Sequence, residues 1–465
     1  MIPSSDILFS SISEISTRLR AKEFSAAELT TAYCDRLEKI GAAHNALARP
    51  LRESAIRKAK DVDDDLKRGR TRGLLQGIPY GAKDLLAVKG HPTTWGSKIF
   101  AAQVFTEDAQ VIKRLDKAGA ILAGKLAMVE LAGGVGYRSA AASLTGPALN
   151  PWDRARWAGG SSSGSGVAAA AGLVAFALGS ETSGSIITPA AYCGVTGFRP
   201  TYGLVSRRGA MSLAWTLDKI GPLCRSAEDC GIVLAVIAGG DAEDPGSARR
   251  GFTYAPKFDR KVSDFTVGYA PADFDSVAAD ARPALQAALA AVKGMGVKIK
   301  EIKIPDFPHG ALIQTIIGAE AASIFEDIIR DGRVDQLADR NQAASLKAAL
   351  DIPSVDYLKA MRIRTLARQA MREIFYGGVD LILTPSRGEP AGPVTDALGG
   401  ARPAPWIPAG NLAGIPAISL PCGFAGNLPV GISFLGRAFF DNHVIAIGRA
   451  FQSVTDWHRR RPPVE

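Results

Sequence analysis

The chain is poor in the residues that most often carry chemistry or cross-links. Only five histidines and five cysteines are spread over 465 residues. The cysteines (Cys34, Cys193, Cys224, Cys230 and Cys422) form no C-x-x-C pair, which excludes a disulfide framework and leaves reduced, buried thiols suited to the cytoplasm. The longest uncharged apolar run, residues 167–179, is too short for a membrane span, which needs roughly 18 residues, and it is mostly Ala and Gly. Asp6 and Glu14 stand near the start with no basic residue before Arg18, unlike a secretory leader. No metal-ligand spacing of His, Cys, Asp or Glu is readable, and neither a metal nor any other cofactor is expected. The net charge of +9 is modest, and the basic clusters at 67–72, 207–208 and 459–461 are short and lack interleaved aromatics. They read as solvated surface, so no nucleic-acid partner is expected.

With 47% hydrophobic and 22% charged residues, the composition is that of a globular chain with a large core, and it excludes disorder. Ser25-Ala-Ala-Glu28 is a capping-box pattern, and Leu29, Ala32, Tyr33, Leu37 and Ile40 follow at helical spacing up to Gly41. A second helix, charged on one face, is predicted over 52–67. Strands predicted at 265–270 and 297–304 bracket a helix over 281–293 closed by Gly294, and another strand is predicted at 379–383, ending at Thr384-Pro385. This alternation predicts an α/β fold with a largely buried sheet. The Gly/Asp/Pro cluster at 239–251 reads as a surface loop rather than a domain boundary.

The most unusual segment is Gly159-Gly-Ser161-Ser-Ser-Gly-Ser-Gly166, followed by a small-residue stretch at 167–178, read as helical, and then Gly179-Ser-Glu-Thr-Ser-Gly-Ser185. A flexible linker would not run straight into an apolar stretch. Gly164-x-Gly166-x-x-Ala169 matches a loose dinucleotide fingerprint, but no strong strand precedes it and no GK[ST] follows. Close helix packing explains the alanines and not the two Ser/Gly clusters. Those clusters combine hydroxyls with freely oriented backbone N–H groups, the ingredients of an acyl-transfer site. No G-x-S-x-G elbow surrounds Ser161 or Ser185, and no histidine lies near them in sequence. A lysine kept neutral by burial is an alternative base. Lys83, at the end of Gly77-Ile-Pro-Tyr-Gly-Ala-Lys83-Asp84, is the candidate, although a lysine read alone is more often an exposed surface residue.

Together these blocks resemble the amidase signature family, which is characterised by a GGSS-G block, a second block ending in G-S, and an upstream lysine in a G-x-P-x-x-x-K-D context. Further segments are similar to the family: Gly124-Lys-Leu-Ala-Met128, Asn150-Pro-Trp-Asp153, Cys193-Gly-Val-Thr-Gly-Phe-Arg-Pro-Thr-Tyr-Gly203, Asp218-Lys-Ile-Gly-Pro222, Asn411-Leu-Ala-Gly-Ile-Pro-Ala-Ile-Ser-Leu-Pro421 and Leu428-Pro-Val-Gly-Ile432. The resemblance therefore covers nearly the whole chain. It implies a single amidase signature domain over residues 1–465, with N-terminal helices (about 1–70) packed on a mixed, twisted central sheet covered by helices on both faces. It also implies a Ser–Ser–Lys triad. Ser185 matches the nucleophile, Ser161 the bridging serine that follows a cis peptide, and Lys83 the general base. The backbone N–H groups of Thr182, Ser183, Gly184 and Ser185 match the oxyanion hole.

The second block departs from the family's D-x-G-G-S-I-R, reading Glu181-Thr-Ser-Gly-Ser-Ile-Ile187. Ile187 replaces an arginine that can contact an anionic substrate or a neighbouring acid. This points to a neutral aryl or alkyl amide, or a carbamate or ester, unless Ile187 simply packs in the core. The expected partner is thus a small-molecule amide, with no membrane association and with homodimerisation left open. Two alternatives stay open: the A subunit of a glutamine-dependent aminoacyl-tRNA amidotransferase, and a catalytically silent binding protein on the same scaffold. Tyr137, Met128, Trp152, Trp157 and Trp215 read as core rather than as pocket lining.

Overall fold

The computed structural model describes residues 6–258, 260–398 and 404–464. The N-terminal helices follow from their caps. Ser11 and Ser25 each accept the N–H of the glutamate three residues on (Glu14, Glu28), and each glutamate bonds back to the serine N–H. These boxes start helices Ile12–Arg20 and Ala26–Arg36, the latter continuing as a π turn Leu37–Gly41. Helix Arg52–Lys67 has the predicted bounds and packs against helix Ala26–Arg36.

Eleven strands form one mixed sheet: β1 (Leu47–Pro50), β2 (Pro79–Lys83), β3 (Ile121–Leu126), β4 (Phe176–Glu181), β5 (Thr196–Arg199), β6 (Lys219–Cys224), β7 (Thr266–Tyr269), β8 (Lys298–Glu301), β9 (Leu381–Pro385), β10 (Ala417–Ala425) and β11 (Leu428–Gly436). Their spatial order is β1-β3-β2-β4-β6-β5-β10-β11-β9-β7-β8. Every residue of β2, β4, β6, β9 and β11 is buried, so both faces of the central strands are covered. No helix among the described residues is long and apolar enough to cross a membrane.

Three local expectations need correction. The stretch at 167–178 is not one helix: helix Ser163–Ala170 stops before Gly172, which has φ +61°, and the chain re-enters the sheet as β4. The strand predicted at 297–304 shrinks to β8, a mostly exposed edge strand. The strand predicted at 379–383 begins at Leu381 and continues through Pro385 as β9, where a proline at the strand end forfeits little hydrogen bonding. The intervening helix, Arg282–Gly294, is shifted by one residue from its predicted bounds.

The Gly/Ser block packs backbone against backbone. A Cβ on Gly164 would come within 2.3 Å of Ala46 O and 2.5 Å of Ala127 N, so only glycine lets helix Ser163–Ala170 lie against those backbones. β2 and β4 are parallel neighbours, while β4 and β6 are antiparallel with Glu181 opposite Lys219. The C-terminal ends of β2 and β4 and the start of β6 therefore meet at one end of the sheet centre, which is where the site forms.

Candidate active site

Lys83 ends β2 and is fully buried. Its Nζ lies 2.8 Å from Ser161 Oγ, 3.1 Å from Ser162 Oγ and 3.0 Å from Ser180 Oγ. All three contacts are hydroxyls, and no carboxylate among the described residues touches the amine. Burial pushes the Lys83 amine down to about 7, opposed in part by the charges of Asp218 and Glu181 at longer range. An amine poised there exchanges protons readily near neutrality.

Ser161 follows a cis Gly160–Ser161 peptide. Ser162 starts the next step of the network: its hydroxyl donates to Ser180 O at 3.1 Å, accepts from Ser180 N at 3.2 Å, and its N–H donates to Ser185 O at 3.3 Å. The two Ser/Gly blocks are thus tied together around Lys83. The structure brings Lys83 and Ser161 into contact and joins the Ser185 backbone to the same network. The Ser185 hydroxyl itself makes no hydrogen bond among the described residues, so the Ser161–Ser185 link of the predicted relay is not closed here. Such links often tighten only once substrate is bound.

Residues 182–185 form the turn between β4 and helix Ile187–Cys193, with Gly184 at φ +88°. Among the described residues, the N–H groups of Ser183, Gly184 and Ser185 have no hydrogen-bond acceptor. Glu181 holds this turn from below. Its Oε2 accepts from Ile186 N (2.9 Å) and Ile187 N (3.0 Å), while Oε1 pairs with Arg199 Nη1 (2.8 Å) and accepts from Asn411 Nδ2 (2.8 Å). Burial alone would raise this carboxyl, but Arg199 and Lys219 hold it at about 2. On the other side Thr182 Oγ1 donates to Asp218 Oδ1 at 2.6 Å. Behind Lys83, Asp84 forms a buried ion pair with Lys125 at 2.7 Å and accepts from Thr94 N at 3.1 Å.

Sequence reasoning missed Ser162, Ser180, Arg199 and Asn411 as members of the site's framework. Their signal was present, since each lies in a block or segment that resembles the family, but only the fold shows which charges and hydroxyls meet. Ile187 is buried, packed with Met371, Phe375 and Trp406, so its apolar character reflects core packing and says nothing about the charge of a substrate. Of the aromatics read as core, Trp152 bonds Cys193 O; Met128, read with them, is fully buried. Trp215, in contrast, is 42% exposed and lines a cavity of about 210 Å³ with Leu85, Met211, Leu213, Ser180 and Thr182. A larger cavity near Arg225 shares no residue with the site.

A buried amine on serine hydroxyls, beside a free hydroxyl and unbonded N–H groups, is the equipment of an acyl-transfer enzyme. The family model for amidases matches residues 28–445. The chain belongs to the amidase family of hydrolases, the amidase signature enzymes. Its curated relatives include the A subunit of glutamyl-tRNA(Gln) amidotransferase from Carboxydothermus hydrogenoformans, 34% identical over 98% of this chain and 99% of that one. Among solved structures, native peptide amidase from Stenotrophomonas maltophilia is 27% identical with a TM-score of 0.83, covering 100% of this chain and 99% of its own. The A subunit of glutamyl-tRNA(Gln) amidotransferase from Thermotoga maritima is 28% identical with a TM-score of 0.79, covering 100% of both chains.

Proposed function

We propose that this protein cleaves an amide C–N bond through an acyl-enzyme on Ser185, with Lys83 as general base and Ser161 as the proton bridge. The observation that supports this most is the contact of a buried, carboxylate-free amine with Ser161 Oγ at 2.8 Å. Neutral Lys83 takes the Ser161 proton as Ser161 takes that of Ser185, whose oxygen attacks the carbonyl carbon. The developing oxyanion is received by the N–H groups of residues 182–185, one such donor being worth about 3–4 kcal/mol in other enzymes. Ser161 then returns the proton to the leaving nitrogen, the C–N bond breaks, and water releases the acyl group by the reverse relay. The cavity beside Ser180 and Thr182 gives the acyl group room. Ser185→Ala tests this: unchanged turnover discards the nucleophile, whereas turnover that is present in wild type and lost in the variant excludes the catalytically silent scaffold.

Two finer readings divide on substrate. A free-standing hydrolase would act on aryl or alkyl amides, carbamates or esters, and the exposed Trp215 in the acyl cavity suits such groups. The second reading is the A subunit of a glutamine-dependent amidotransferase working with other subunits, and the names of the sequence relatives support it more directly. A hydrolysis screen over anilides, aliphatic amides, carbamates, esters and glutamine, with co-purification from the native host, separates them. Activity of the isolated chain on anilides selects the first. Glutaminase activity only in a co-purified complex selects the second. The five unpaired, buried cysteines suit a reducing compartment such as the cytoplasm.

A further inference from the structure

Beside Ser161 lies a group of hydrogen-bond donors that the acyl-transfer relay leaves unused. A Cβ on Gly160 would come within 2.9 Å of both Trp157 Cζ2 and the Tyr137 hydroxyl, so these two rings flank the residue preceding Ser161. Tyr137 and Trp157 meet edge to face with centroids 5.9 Å apart, and Trp157 and Tyr192 do so at 6.4 Å. The Arg387 guanidinium stands 6.0 Å from the Tyr192 ring centroid, placed there by the chain leaving β9. Arg387 Nε and Trp157 Nε1 are both buried and both lack an acceptor. Among the described residues Arg387 forms no ion pair, and the Tyr137 and Tyr192 hydroxyls make no hydrogen bond.

Buried donors such as Trp157 Nε1 and Arg387 Nε are rarely left without acceptors, and the planar fork of the half-buried Arg387 matches a carboxylate. The aromatic faces around it would lower the local dielectric and strengthen such a contact. We infer that Arg387 and Trp157 Nε1 bind a carboxylate on the leaving-amine side of the substrate. The side follows from the proposed relay, on which this inference rests: Ser161 gives its proton to the leaving nitrogen, and the aromatic cluster borders Ser161 rather than the acyl cavity at Trp215. An arylamine leaving group would lie along the rings and extend its carboxylate toward Arg387. The substrate is then anionic at one end, in place of the neutral amide expected from the sequence.

The test compares kcat and KM of the full-length protein on 4-acetamidobenzoate and 4-methylacetanilide, which differ in the para group. Wild type is expected to favour the carboxylate by about 10- to 100-fold in kcat/KM, as a charge-assisted contact allows. In Arg387→Gln that ratio falls toward one, mainly through KM for the carboxylate. Arg387→Lys restores part of it, and Trp157→Phe lowers it less than Arg387→Gln. No preference in wild type, or an equal loss on both substrates in Arg387→Gln, overturns the inference. Calorimetric titration with benzoate and benzyl alcohol gives a readout independent of chemistry: benzoate binds wild type more tightly, and about tenfold or more weakly in Arg387→Gln. Absence of that difference also overturns it. If benzoate binds through Arg387 while neither anilide is cleaved, the reading as a free-standing anilide hydrolase falls and the carboxylate site stands.

Discussion

Arg199 Nη1 and Glu181 Oε1 lie 2.8 Å apart in the fully buried layer beneath the turn at 182–185. The pair couples β5 to the end of β4, and through Glu181 Oε2 it fixes the first N–H groups of helix Ile187–Cys193. The unbonded N–H groups of the site are therefore aimed by a charge that never meets solvent. Removing one partner leaves the other charge uncompensated.

Arg199→Met is expected to destabilise the protein by about 3–5 kcal/mol, the usual cost of orphaning one partner of a buried pair. Urea unfolding of wild type and variant measures it. A loss below about 1 kcal/mol, far under that usual cost, would show that Glu181 finds other compensation, with Lys219 the other cation acting on it.

The pH dependence follows from Lys83. Only the uncharged amine accepts a proton, and its value of about 7 is set chiefly by burial. kcat/KM is expected to rise about tenfold per pH unit below 7 and to level off above it. A profile that stays flat from about pH 5 to 8, on a substrate without ionisable groups, would remove Lys83 from the role of base.

The same shift carries a stability consequence of opposite sense to a salt bridge. The folded amine sits at about 7 and the unfolded one near its ordinary 10.5, so between those values the unfolded chain binds more protons. Stability contributed by this group therefore rises with pH across that window and is lowest below 7. Lys83→Met should abolish turnover yet unfold at higher denaturant than wild type at pH 7, with the gap narrowing as pH approaches 10.5.

Gly164 supplies a purely steric test. A methyl group there meets backbone atoms of Ala46 and Ala127 rather than mobile side chains. Gly164→Ala is expected to cost at least about 1–3 kcal/mol, the usual penalty of overpacking, and to lower kcat by displacing Ser161 and Ser162. Wild-type stability in this variant would mean that helix Ser163–Ala170 shifts at little cost.

Some of this was legible from local pattern. Ser25 and Glu28 announce a helix start because both partners of the capping box lie within one turn, and helix Arg52–Lys67 follows from its one-faced charge. The Lys83, Ser161 and Ser185 positions were legible through resemblance, since the Gly/Ser blocks keep a recognisable order. The helix-to-strand change within 167–178 was not, because small apolar residues serve either state and the sheet, not propensity, decides.

The order of residues was enough for the family, the α/β class and the three residues proposed for the relay, all of them written in short contiguous segments. What surrounds those residues came from long-range packing alone. Asn411 reaches Glu181 across 230 residues of chain, Ile187 turns into the core instead of the site, and Arg387 arrives at the Tyr192 ring without a carboxylate. Hydrogen bonds, ion pairs and burial are set by which segments the sheet brings together. No spacing along the chain encodes whether a buried charge finds its partner there.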